Sequence, residues 1–238
     1  MRAVLQHISH RQSRFAEHPL FDALRPDRPL EQALAFAPRL AFWVMSFQDV
    51  LRLNAQRVQD PELAMLMLRH RAEERGHDDW FFDDVAVLTG QRLTLGELWE
   101  RAHESTRDAS YALLAEVLRP MDDRLRVVLV LALESTSHAF FTRASSLYQA
   151  LGSGKRLKYF SNHHMEAEEQ HEVFEEQMEA MLRSIELTPD LRSEAVALVD
   201  RIYTAFHAMF DGLAEPQPAV ALPRGAVAKK TAVVSSAA

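Results

Sequence analysis

Histidine and glutamate recur in this chain at spacings that set them on single helical faces. In the run SNHHMEAEEQHEVFEE, His164, Glu168 and His171 lie four and then three residues apart. At about 100° per residue they project within roughly 60° of one another, so two imidazoles and a carboxylate converge along one stripe. His163, Glu166, Glu169 and Glu172 fall off that stripe and are assigned to solvent or to supporting roles. In HRAEERGHDDWFF, Glu74 and His77 have the Glu-x-x-His spacing with which two-metal carboxylate sites place both ligand types on one face. Glu134 follows the apolar run VVLVLAL, where an ionised carboxylate is costly to bury unless it is paired or bound to a metal. Each feature has a plainer explanation: a solvated acidic helix for the first, a core Glu paired with Arg or His for the last.

Taken together, His77, His164 and His171 with Glu74, Glu134 and Glu168 make three imidazoles and three carboxylates on three helices. That donor set suits two iron or manganese ions with positions left open for dioxygen. A catalytic zinc ion usually takes three protein ligands, which would leave the remaining donors unexplained. The chain has no cysteine, so any metal must sit on nitrogen and oxygen, and neither a thiolate nucleophile nor a disulfide is available. The formal charge is −7 and no basic run tracks phosphates, which argues against nucleic acid and anionic membranes as partners. The start, MRAVLQHISHRQ, lacks the apolar core of a signal peptide, and no apolar stretch approaches the roughly 18 residues of a membrane span. The expected location is the cytoplasm.

The elements that must carry these residues read as helices throughout. Seven glycines serve 238 residues, and Ala, Leu, Glu and Arg are abundant, a balance that favours helix over strand. A short helix ends before Arg25–Pro29, and a long one is expected over 29–59, kinked or split at Pro38. Asp60 and Pro61 open the next, which runs to Thr89 and Gly90. Thr94 with Glu97 forms a capping box for a helix ending near Arg119. A buried central helix begins near Asp122 and stops at Gly152 and Gly154, a Glu-rich helix covers 155–187, and Thr188 caps a last one reaching Glu215. About seven helices form an all-α bundle in one domain over 1–215, and 216–238 reads as a flexible tail.

The order His77, then a lone Glu134, then His164-x-x-x-Glu168-x-x-His171 on a late helix resembles the heme-oxygenase-like di-iron oxidases over roughly residues 30–210. Glu168 stands where many members have Asp. Several members carry a Glu ligand seven residues before the histidine matched by His77, and here that place is His70, while Glu74 lies three before it. Glu74 is taken as the ligand because a third carboxylate balances two divalent ions; His70 is the alternative and Asp49 an outside candidate. The resemblance implies a heme-oxygenase-like bundle, two Fe(II) ions, dioxygen as co-substrate and a small amino-acid-like or fatty-acid-like substrate. The implied chemistry is N-oxygenation or oxidative C–C cleavage in natural-product biosynthesis. Self-processing to an aminobenzoate fits least, although Lys158 and Tyr159 lie near His164. A homodimer and an electron donor are expectations of the same kind.

Trp43, Phe47, Phe81, Phe140 and Phe141 are candidates to line a substrate cavity, Arg143 and Lys158 to hold a substrate carboxylate, and His138 to support a ligand by hydrogen bond. Two other readings stay open. One is a ferroxidase or iron-storage bundle, which usually carries two Glu-x-x-His pairs. The other is a metal-free thiaminase-like or cofactor-binding member of the same helical superfamily.

Overall fold

The computed structural model describes residues 1–151, 154, 156–169 and 182–215, the side chains of 166–169 excepted. Among these residues the bounded α-helices are α1 (Arg2–Phe15), α2 (Leu30–Ala33), α3 (Ala41–Ala55), α4 (Pro61–Glu73), α5 (His77–Thr89), α6 (Glu104–Leu118), α7 (Asp123–Leu151), α8 (Asn162–Glu169) and α9 (Pro189–Ala214), with short 3-10 turns between and no strand. The all-α expectation holds, with more and shorter helices than the seven anticipated.

The apolar run of α7 makes it the axis of the bundle. Residues 125–134 are all buried, and α1, α9, α8, α4 and α3 pack around the helix. Contrary to the expectation that no stretch approaches a membrane span, α7 is long and apolar enough to pass for one, yet 78% of its apolar window is buried inside the molecule, as befits a core helix. α9 lies against α6, α7 and α1, and α3 against α6, α4 and α5. Polar ties fix these pairs: Arg201 on α9 donates twice to Glu116 on α6 at 3.0 Å, and Arg39 donates to the carbonyl oxygens of Gly212 and Leu213 at the end of α9. Asn54 on α3 donates to the Arg126 carbonyl of α7 at 3.1 Å.

Side-chain caps set the starts of two helices, α4 and α9. Asp60 accepts from the amides of Glu62 and Leu63 at 3.0 Å with Pro61 at the first helical position. Thr188 caps α9 in the same way, accepting from the Leu191 amide at 3.3 Å.

Several expected spans are corrected. The helix expected over 29–59 is split, because Pro38 lies in a 3-10 turn, Ala37–Leu40, and α3 begins only at Ala41. The helix expected over 61–90 breaks at Gly76, whose φ of 93° lies in the left-handed region that glycine alone enters cheaply. The Thr94 and Glu97 capping box forms, with Glu97 accepting from the Thr94 amide at 2.6 Å, but it opens only a 3-10 turn, and α6 starts at Glu104. Residues 156–161 are not helical; α8 starts at Asn162, since Asp84 of α5 accepts the Lys158 and Phe160 amides and so holds them in a turn. The remainder of the span expected to run to 187, and the tail 216–238, lie outside the described residues apart from 182–187.

Candidate metal centre

The break at Gly76 brings two of the expected ligands together in an unexpected way. Glu74 caps the end of α4 and His77 opens α5, so they sit on either side of a turn rather than on one continuous helix. The turn still presents them to each other, with His77 Nδ1 3.0 Å from Glu74 Oε2 and both side chains buried. Gln48 on α3 steadies the joint by donating to the Glu74 carbonyl at 2.9 Å.

One turn before Glu74, His70 points into the same interior and meets Glu134 of α7, Nε2 to Oε1 at 2.9 Å, each side chain only 1% exposed. His70, Glu74 and Glu134 thus offer ligand atoms that all lie within 4.8 Å of one another. Burial alone lowers the basicity of His70. The charge and hydrogen bond of Glu134, with Glu74 and Glu73 nearby, outweigh burial and raise its pKa to about 9.

His164 closes the described part of the site from α8. It is 2% exposed, its ring centroid is 4.6 Å from that of His77, and it stacks on Phe141 of α7 at 3.7 Å. Tyr159 meets it edge-on at 4.8 Å. His164 reaches this place through the turn at 156–161, which Asp84 anchors. Burial raises the pKa of Asp84, and the Lys158 and Phe160 amides oppose the rise.

Of the six expected ligands, Glu74, His77, Glu134 and His164 therefore meet in one buried cluster. The backbone of Glu168 lies on α8 and its side chain is not among those described; His171 lies outside the described residues. The expected choice between Glu74 and His70 dissolves, because both side chains enter the cluster. The signal for His70 was present in the sequence: it lies four before Glu74, on the same face of α4. Asp49 does not join them; it is exposed and bound to Arg52 at 2.7 Å. His163 is exposed and packs on Trp80, as its place off the stripe requires.

A cavity of about 30 Å³ adjoins the cluster, lined by Glu74, His77, Asp78, Glu134 and His164 together with Trp43, Phe47, Phe141 and Tyr159. A second of the same size shares Trp43, Phe141 and Tyr159 with it and extends along Phe140, Phe206 and Phe210. Four of the five expected cavity aromatics line one or both; Phe81 instead is fully buried core, packed on Phe82, Tyr159 and Phe160. Arg143 and His138 fall elsewhere, on an open cleft between α1 and α7. Lys158 is exposed and lines neither cavity. Among the described residues no lysine or arginine lines either cavity. Asp78, which sequence reasoning passed over, does.

No protein-family model matches the chain, and no curated protein matches it. The fold has solved relatives. A TenA homolog from Pseudomonas syringae pv. tomato str. DC3000 superposes with a TM-score of 0.64 over 89% of this chain and 91% of its own, at 13% sequence identity. That likeness shows the fold, a TenA-like all-α bundle.

Proposed function

We propose that the protein is a non-heme di-iron oxygenase or oxidase acting on a small organic substrate. The observation that carries this reading is the convergence of His70, Glu74 and Glu134 within 4.8 Å in the core, with His77 and His164 beside them. Buried imidazole and carboxylate in such proportion fit a divalent first-row ion. His70, Glu74, His77, Glu134 and His164 would hold two ions, with Glu168 and His171 completing the set by the sequence pattern. When bound, ferrous ions there supply dioxygen activation.

The protein's own side chains would supply the setting. Phe141 and Tyr159 fix the His164 ring by stacking and edge contact, and Gln48 fixes the joint that carries Glu74. Trp43, Phe47, Phe141 and Tyr159 give the small cavity beside the cluster an apolar wall. Half-buried Asp78 lines the cavity beside the cluster and offers a counter-charge to an ammonium group. This favours the amine-bearing end of the expected substrate range over a simple fatty acid.

The test is anaerobic titration with ferrous ion followed by oxygen uptake in the presence of candidate amines. Two equivalents bound and oxygen consumed support the reading; fewer than two, with no oxygen uptake, end it.

A second reading has its own support. The TenA homolog resembles this chain in fold, and on fold alone a metal-free thiaminase-like member of the superfamily is at least as well supported. His70 pairs with Glu134 and His77 with Glu74, contacts that by themselves require no ion. Against a cysteine-dependent activity stands the lack of any cysteine. Replacing His171 by Ala separates the two, abolishing full metal loading under the first reading and changing little under the second.

A further inference from the structure

We propose that His70, Glu74 and Glu134 form a site for one divalent ion, built from α4 with its C-terminal cap and from α7, and filled independently of the ligands on α8. The inference builds on the metal-binding part of the reading above and not on its oxygen chemistry.

Three observations carry it. The three side chains converge in the interior at 1–3% exposure, and their ligand atoms lie within 4.8 Å of one another. Bonds of about 2.1 Å allow at most about 4.2 Å between two atoms on the same ion, so an ion needs only a small inward adjustment. Second, once His70 releases its proton to the solvent on binding, one neutral imidazole and two carboxylates balance a divalent charge, which is what burial in a low-dielectric interior demands.

Third, the elements that hold these residues are tied down by contacts of their own. α4 is capped by Asp60, and the loop before it is bound to the start of α7 by Asp123, which accepts the Gln59 and Asp60 amides at 2.7 Å. Glu134 ends ten consecutive buried residues of α7. A ligand set on rigid, independently packed helices is preorganised, and ordering it on binding costs little. His77 and His164 by contrast reach the cluster through the turn at Gly76 and the segment 156–161.

The test uses the full chain with Co(II) and Mn(II) as probes. Bound metal is counted after desalting, the Co(II) ligand-field absorption and Mn(II) electron spin resonance are recorded, and circular dichroism monitors folding. His164→Ala is expected to retain one equivalent with an affinity within about threefold of the wild-type tight site. His70→Gln is expected to weaken that equivalent at least tenfold and to shift the Co(II) spectrum; it keeps a hydrogen-bond donor toward Glu134, so it would restore binding if His70 merely positioned that carboxylate.

Loss of all metal in His164→Ala, or wild-type binding in His70→Gln, overturns the proposal. If His70→Gln does not fold, the His164→Ala count decides alone. Wild-type protein that binds one ion, retained in His164→Ala, would end the two-metal reading and leave this inference standing. Two ions in the wild type and none in His164→Ala would do the reverse.

Discussion

Glu134 is an ionisable group at the end of the most apolar stretch of the molecule, and what surrounds it decides what it can do. It meets the His70 imidazole at 2.9 Å, both side chains 1% exposed. Removing one partner of a buried pair costs far more than the pair contributes, because the other group stays in the interior without its counter-charge. Glu134→Ala should therefore destabilise the metal-free protein by about 3–5 kcal/mol, read from urea unfolding, and should eliminate tight metal binding. Two histidines away from the cluster set the response to acid. Burial, then Arg107, lowers the pKa of His103, and burial, then His18, lowers that of His207. Their unfolded values are about 6.5, so below that pH the unfolded chain takes up protons that the folded chain resists. Their contribution is complete above about pH 6.5 and is lost as pH falls through the depressed folded values. Melting temperature should decline through this window, and His103→Gln with His207→Gln should flatten the decline.

At the scale of elements, two short connections decide whether the site assembles. Asp84 accepts the Lys158 and Phe160 amides and thereby sets the entry to α8 and the place of His164. Asp84→Ala leaves these amides without their acceptor and should cost about 1–3 kcal/mol, with a loss of metal stoichiometry as the companion readout. Gly76→Ala tests the other joint. A Cβ there meets nothing within 4 Å, so the expected loss comes from the positive φ alone, about 1–2 kcal/mol, and Gly76→Asn should lose less. Caps and prolines made several starts readable: Asp60 with Pro61 and Thr188 with Pro189 open helices where expected. The break at Gly76 was not readable, because a lone glycine inside a periodic apolar pattern is usually tolerated within a helix. The Thr94 box misled for a related reason: capping satisfies the first amides, but whether a helix continues depends on what its face can pack against.

The whole molecule is a bundle around one buried helix, with the candidate ligands on the helices packed against it. An ion that binds only the folded cluster must stabilise the entire fold, by about 2.7 kcal/mol when free metal is a hundredfold above its dissociation constant. Adding Mn(II) or Co(II) should raise the melting temperature, and a chelator should reverse the rise; an unchanged temperature with excess metal would tell against a core site. The sequence by itself determined the helical class, the buried course of α7 and the residue types able to hold a metal, because periodicity, composition and the cost of burying Glu134 are local properties of the chain. Only the tertiary structure decided that His70 stands with Glu74 rather than in place of it, that Asp49, His138 and Arg143 lie away from the cluster, and that Asp78 borders the cavity. Those outcomes depend on where α4 turns into α5, how α4 rests on α7 and how α5 rests on α3, and the spacing of residues along one helix carries no information about the face of the next.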